Sequence, residues 1–267
     1  MKSEAIYYKV VILSILSLIV IFTGAFEANA KQPFSENSTI TASVPESGNG
    51  STAEEYYKQG MKYSKAGKHN NAITAFKKAI QIAPDYIFAY NDLGNAYVDL
   101  KKYNDAVRAY RKAIRIKPDF IAALKNLAYT FSMQKEFKKE ISAHKKVLFY
   151  KLDDTETHYN MGVAYSKLKK YEEAIASYNE ALKINPSMAD AYYNLGVTYS
   201  KLDKHNEARE SYRKMLALHP DDPAAHYNLG LTYMNLGDKK SALQEYETLK
   251  KIDSKTALQL LDLINNK

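Results

Sequence analysis

The sequence predicts an all-α protein, a solenoid of stacked helix-turn-helix units, and three observations lead there. The stretch from Thr155 to Asp222 folds back on itself as text: its two halves align without a gap at a shift of 34 residues. That shift sets Gly162 on Gly196, Tyr165 on Tyr199, Ala174 on Ala208, Tyr178 on Tyr212 and Pro186 on Pro220. Each half carries two helical patterns, and a period of this length built of two helices marks a solenoid. The composition agrees, since 10 Gly, no Trp and 23 Tyr in 267 residues suit a stacked array better than a compact enzyme.

The first thirty residues read as an address. Lys2 and Lys9 precede a run of 17 residues, Val10 to Phe26, broken only by Ser, Thr and Gly, and Ala28-Asn29-Ala30 follows with small residues where a signal peptidase reads. This predicts an export signal over 1–30, cleaved after Ala30, and a periplasmic or secreted protein. The alternative is a membrane anchor retained over 10–26, because 17 residues at about 1.5 Å each reach roughly 25 Å. Residues 31–52 come next; 14 of these 22 are Ser, Thr, Asn, Gly or Pro, which predicts a disordered linker.

Extending the 34-residue frame in both directions gives six units, 53–86, 87–120, 121–154, 155–188, 189–222 and 223–256. In the second unit Gly94 and Ala106 are the small residues that let two antiparallel helices approach, where a larger side chain would cost roughly 1–3 kcal/mol. Tyr97 and Tyr110 fill the space beside that contact, and Pro118 ends the second helix and begins the turn to the next unit. The third unit departs from this pattern. Ala128 stands for Gly, Glu140 for the small residue, His144 for the aromatic and Leu152 for Pro. Two larger residues at the closest approach predict splayed helices and a loose joint, the alternative being a drifted repeat that packs normally. After Thr256 the apolar residues continue at helical spacing, which predicts a capping helix over 257–267, with Leu263 as the residue that projects outward.

These residues carry a resemblance. Tyr90, Leu93, Gly94, Tyr97, Ala106, Tyr110, Ala113 and Pro118, repeated in register over 53–267, resemble the tetratricopeptide repeat family. The resemblance implies a right-handed superhelix in which the first helix of each unit lines a concave groove that receives a peptide. It places ligand contacts at the second, fifth, sixth, ninth, twelfth and thirteenth residues of the unit.

At the sixth place stand Asn126, Asn160, Asn194 and Asn228, side chains that donate and accept together and so can pair with the backbone of an extended peptide. At the fifth stand Tyr57, Tyr159, Tyr193 and Tyr227, rigid amphipathic surfaces suited to contact, and Lys65, Lys167 and Lys201 at the thirteenth add positive charge. The clamp by which some members of the family hold a C-terminal carboxylate is not reproduced, because Tyr57 and Met61 occupy the places of its first Lys and Asn.

No enzyme is expected. The chain has no cysteine, which excludes disulfides, thiol catalysis and thiolate metal sites. His158 and His226 lie 68 residues apart and so two units apart, and no HExxH, glycine-rich phosphate loop or Ser-His-Asp pattern occurs. Neither a catalytic residue nor a cofactor or metal is predicted. Two functions compete. One is a non-catalytic scaffold for a protein or peptide partner in the groove. The other is a binder of polyanions or of an anionic envelope surface, because residues 53–154 carry 20 Lys and Arg against 11 Asp and Glu, whereas 155–256 carry 14 of each. Export argues against nucleic acid. Membrane contact is expected only if the N-terminal segment is retained, and a monomer is expected rather than a homodimer.

Overall fold

The computed structural model describes residues 51–266, so the expected export segment and all but the end of the linker lie outside the described residues. The described residues form thirteen helices and no strand. They run as α1 (Ala53–Lys65), α2 (His69–Ile82), α3 (Ile87–Asp99), α4 (Tyr103–Ile116), α5 (Ile121–Met133), α6 (Phe137–Tyr150), α7 (Thr155–Lys167), α8 (Tyr171–Ile184), α9 (Ala189–Lys201), α10 (His205–Leu218), α11 (Pro223–Asn235), α12 (Lys239–Ile252) and α13 (Ser254–Asn265). The first twelve are six antiparallel pairs, and each helix packs on the next in chain order. None is long and apolar enough to cross a membrane.

Each pair reverses through one residue of left-handed backbone, at Gly67, Lys101, Lys135, Lys169, Asp203 and Gly237, with φ between 56° and 77°. Only two of the six are glycine, and a side chain in this conformation costs roughly 1–2 kcal/mol. The turn recovers part of that by closing the helix end. The amides of Lys68, Lys102, Lys170 and Lys204 donate back to the carbonyls of Tyr63, Tyr97, Tyr165 and Tyr199 at 2.8–3.0 Å, the bond that satisfies a helix's last carbonyls.

Within a pair the close approach is made by glycine against an aromatic ring. A β-carbon on Gly60, Gly94, Gly162 or Gly196 would lie 2.5–2.6 Å from the ring of Phe76, Tyr110, Tyr178 or Tyr212. Those four rings are at most 2% exposed. In the third pair the exchange of Gly for Ala128 is matched by the exchange of the larger ring for the imidazole of His144. Ala128, Glu140 and His144 are all buried, so the smaller ring offsets the methyl group and the splaying expected there. What remains unusual is polarity. Glu140 and His144 face each other at 3.7 Å, and Glu140 Oε2 and His144 Nδ1 find no hydrogen-bond partner among the described residues.

The last pair closes differently. A β-carbon on Gly230 would meet Leu260 of α13 at 2.6 Å, so the C-terminal helix supplies the side chain that the other pairs draw from their own second helix. Tyr246, in the place of that aromatic, is left half-buried against the same cluster. Asp253 caps α13 through the amides of Lys255 and Thr256, and Ala257, Leu260 and Ile264 form its buried stripe. Leu263 is half-buried; the outward residue is Leu258, 58% exposed.

First helices also touch one another across the junctions, α1 with α3, α3 with α5, α7 with α9 and α9 with α11, while the second helices do not pack together in this way. The first helices therefore take the inner side of the curve. At the junction between the third and fourth pairs, α5 and α7 do not pack on one another to the same extent.

Candidate functional site

The inner face is organised by side-chain bonds that cross each junction. The fifth residue of one unit bonds the sixth residue of the next. Tyr57 donates its hydroxyl to Asp92 Oδ2 at 2.7 Å; Asn126 Nδ2 donates to Asn91 Oδ1 at 3.0 Å; Asn194 Nδ2 donates to the Tyr159 hydroxyl at 3.0 Å; Asn228 Nδ2 donates to the Tyr193 hydroxyl at 2.9 Å. Periodicity on a helix makes this possible, since residues 35 apart meet only when successive first helices lie side by side in register.

Across the first three units these bonds merge into one network. Asp92 Oδ1 accepts from Asn91 and Asn95, and Asn95 Oδ1 accepts from Asn126 and from the Tyr110 hydroxyl at 2.7 Å. Burial raises the Asp92 carboxyl above its ordinary value, against the pull of these donors. Burial and the Asp92 carboxylate push the Tyr57 phenol well up. Burial also raises the phenols of Tyr159 and Tyr227 and takes Tyr193 up to about 12.

The structure therefore separates the predicted asparagine row. Asn126 is 6% exposed, with its amide nitrogen held by both Asn91 and Asn95, so it is enclosed within the array. Asn194 and Asn228 are half-buried, and each gives an amide hydrogen to the preceding tyrosine while the second hydrogen and the carbonyl oxygen remain. The hydroxyls of Tyr57, Tyr159 and Tyr193 are likewise engaged within the array, whereas Tyr227 lies beside the last pair's cluster. Lys167 and Lys201 are exposed. Burial, with Lys135 nearby, lowers the Lys167 ammonium.

Asn160 stands apart, for no hydrogen bond joins its side chain to another described residue, and the reason lies one unit earlier. The fifth residue there is Lys125 rather than Tyr or Asn. Its ammonium turns to Asp154 Oδ2 at 2.9 Å and Glu156 Oε2 at 3.1 Å. Asp154 is also the N-cap of α7, accepting from the amide and hydroxyl of Thr157 at 3.0 and 2.7 Å. Burial works to raise its carboxyl, but the Thr157 donors and Lys125 prevail and hold it at about 2. The junction that lacks a bond between a fifth and a sixth residue is the one at which α5 and α7 pack least on one another.

Two further exposed residues of α5 were not among the predicted ones. Tyr129 and Met133, 39% and 41% exposed, present apolar surface from α5. They occupy the ninth and thirteenth places of their unit, so reading every ligand place of the third unit, rather than the recurring residue types alone, would have found them.

The histidines are bound into the framework. His226 has both ring nitrogens on acceptors, Nδ1 on Glu245 Oε2 at 2.6 Å and Nε2 on the Pro220 carbonyl at 2.7 Å, an arrangement both nitrogens satisfy only as donors. The Glu245 bond raises its pKa above 6.5, against the opposing effect of burial. A raised histidine contributes stability that is fully present below its unfolded value and is lost as pH rises through its folded value. Urea unfolding is thus expected to show lower stability at about pH 8.5 than at about pH 5.5 from this group, and His226→Gln flattens that slope. His158 repeats half of the arrangement, with Nε2 3.0 Å from the Leu152 carbonyl.

A family model described as TPR repeat matches residues 54–101, 94–135 and 166–203, and two described as tetratricopeptide repeat match 189–222 and 211–244. Together they cover more than half of the chain. They leave out 136–165, the stretch that holds Glu140, His144 and Leu152. No curated protein matches the chain. Among solved structures, that of MamA is 26% identical, covers 64% of this chain and 93% of its own, and superposes with a TM-score of 0.61. YrrB, described as a TPR protein with an unusual peptide-binding site, is 20% identical, covering 70% of this chain and 98% of its own at a TM-score of 0.61. PilW, described as a widely conserved type IV pilus biogenesis factor, is 18% identical, covering 78% and 98% at 0.61. The last two are similar in fold alone.

Proposed function

Because the chain belongs to the tetratricopeptide repeat family, whose members are interaction scaffolds, we propose that it binds an extended peptide or partner surface along its first-helix face without catalysing a reaction. The observation that carries this reading is the break in the side-chain bonding pattern between the third and fourth units, where Lys125 turns to Asp154 and Glu156. Asn160 keeps its donors and acceptor there, Tyr129 and Met133 leave apolar surface partly exposed on α5, and Lys167 is exposed at the end of α7. An amide that no intramolecular bond claims can pair with a peptide backbone whatever the partner's side chains. Partly exposed aromatic and thioether groups on α5 supply apolar anchors of the kind that dominate binding energy.

Asn194 and Asn228 serve the same face less freely, since part of each amide is committed to the preceding repeat. The chain is thus expected to grip a partner most tightly at the third and fourth units and to continue weaker contacts toward the C-terminus. The test is affinity capture with the intact protein against an Asn160→Ala, Tyr129→Ala variant, both residues being free of bonds that join the repeats. Captured partners should weaken by roughly tenfold or more on the variant, as loss of one or two anchors implies. Partners held equally by both proteins would remove this face from recognition.

A further inference from the structure

A second surface lies away from the inner face, on the second helices of the second and third repeats. Helices α4 and α6 carry eight Lys and Arg against two acidic residues, Asp105 and Glu140, and Glu140 is buried. Arg108 pairs with Asp105, and Lys139 with Glu136. The remaining six, Arg111, Lys112, Arg115, Lys138, Lys145 and Lys146, are exposed and have no carboxylate within ion-pair distance among the described residues. By contrast α8, the next second helix, has one basic residue against three acidic. A concentration of cations of this kind, left without internal partners, attracts an anionic surface.

Apolar side chains stand at the edge of that field. Phe149 is 81% exposed and Leu152 76%, and Tyr150, at 44%, stacks edge-on against Phe149 at 5.0 Å. Phe149 and Tyr150 border a depression of about 400 Å³ where the ends of α4 and α6 meet, lined by Ile114 and Pro118 on one side and by Lys145 and Lys146 on the other. The half-exposed Ile116, Ile184 and Leu218 recur at the Tyr150 place in other repeats and are part of the repeat pattern. Phe149 and Leu152 are not. Leu152 replaces the proline of the first, second, fourth and fifth turns, and Phe149 stands where those repeats carry Gln81, Arg115, Lys183 and Ala217.

We propose that this corner docks on an anionic lipid bilayer, with Phe149 and Leu152 entering the interface and Lys145 and Lys146 meeting the headgroup charge. Exposed apolar side chains beside unpaired lysines suit an anionic interface that closes around them, where buried apolar area and charge attraction act together. Aromatic residues are at home at the headgroup level, and lysines near such a surface each add attraction to anionic lipid. A second copy of the chain is disfavoured, since matching corners would set unpaired cations against one another. This docking leaves the first-helix face turned to its own partner and does not depend on the groove reading.

Because the chain has no cysteine, a single Leu152→Cys substitution on the full chain can carry an environment-sensitive nitrobenzoxadiazole dye at the corner itself. With vesicles of mixed phosphatidylglycerol and phosphatidylcholine its emission should rise and shift to the blue, and with pure phosphatidylcholine it should not. The same dye at Ser187→Cys, exposed at the next turn, should stay unchanged, which separates corner docking from tethering by an N-terminal segment. Lys145→Gln, Lys146→Gln in the labelled chain should raise the lipid needed for half the response about thirtyfold. Equal responses at both dye positions, an equal response to neutral vesicles, or no response overturns the proposal. So does an equal shift on adding soluble polyglutamate, which would assign the corner to an acidic polymer or protein instead.

Discussion

Replacing Tyr178 with alanine lowers the free energy of unfolding by about 3–5 kcal/mol, because it removes a ring that is 1% exposed and leaves a cavity between α8 and the backbone of Gly162. The glycine cannot fill the gap, and the helices cannot close over it without moving the Tyr159 and Leu195 contacts that share the cluster. In a stacked array each unit is stabilised mainly by its neighbours, so the loss is felt at both flanking junctions. Urea unfolding of the variant measures it. A loss below about 1 kcal/mol contradicts the placement of this ring at the closest approach of its two helices.

Leu260→Ala costs about 2–5 kcal/mol, and Tyr246→Ala costs about 1 kcal/mol or less. Elsewhere in the array the second helix supplies the buried aromatic, so a reading by repeat position alone assigns the larger effect to Tyr246. The structure reverses the two, since Leu260 is fully buried over Gly230 whereas Tyr246 is half-buried. The Leu260 variant should also lose amide protection first in α11 and α12, the helices that α13 covers. Urea unfolding of both variants with amide exchange decides the order. Equal losses would mean that α13 rests on the array without closing it.

What the sequence made legible was whatever one repeat shows against another. Gly162 over Gly196 and Tyr178 over Tyr212 announce a helix pair, its closest approach and its partner ring, because these features lie within a single unit. The bonds between units were not legible in the same way. That Asn194 and Asn228 reach back to Tyr159 and Tyr193 needs the relative placement of two first helices, which no single unit encodes. The sequence reading consequently treated four asparagines as one row, although Asn126 is enclosed and Asn160 is not. The left-handed residues were hidden for another reason. Lys101, Lys135, Lys169 and Asp203 adopt a conformation that glycine would have advertised, and only the turn geometry reveals them. Leu260 escaped notice because periodicity identifies an apolar stripe on α13 but not which niche it enters.

Departures from the repeat proved as informative as matches. Lys125 in place of a tyrosine redirects its junction to Asp154 and Glu156 and leaves Asn160 unclaimed. Phe149 and Leu152, a few residues before, stand exposed on the other side of the same repeat. Both candidate surfaces therefore arise where the third unit stops following the pattern that builds the others.

Whether recognition runs along the first helices is decided most directly by amide hydrogen exchange on the intact protein with and without a captured partner. Slowed exchange is expected in α5, α7 and α9, strongest around Tyr129 and Asn160, with α6, α8 and α10 little changed. Slowed exchange confined to the second helices, with α5 and α7 unaltered, would place the partner on the outer side and contradict the groove.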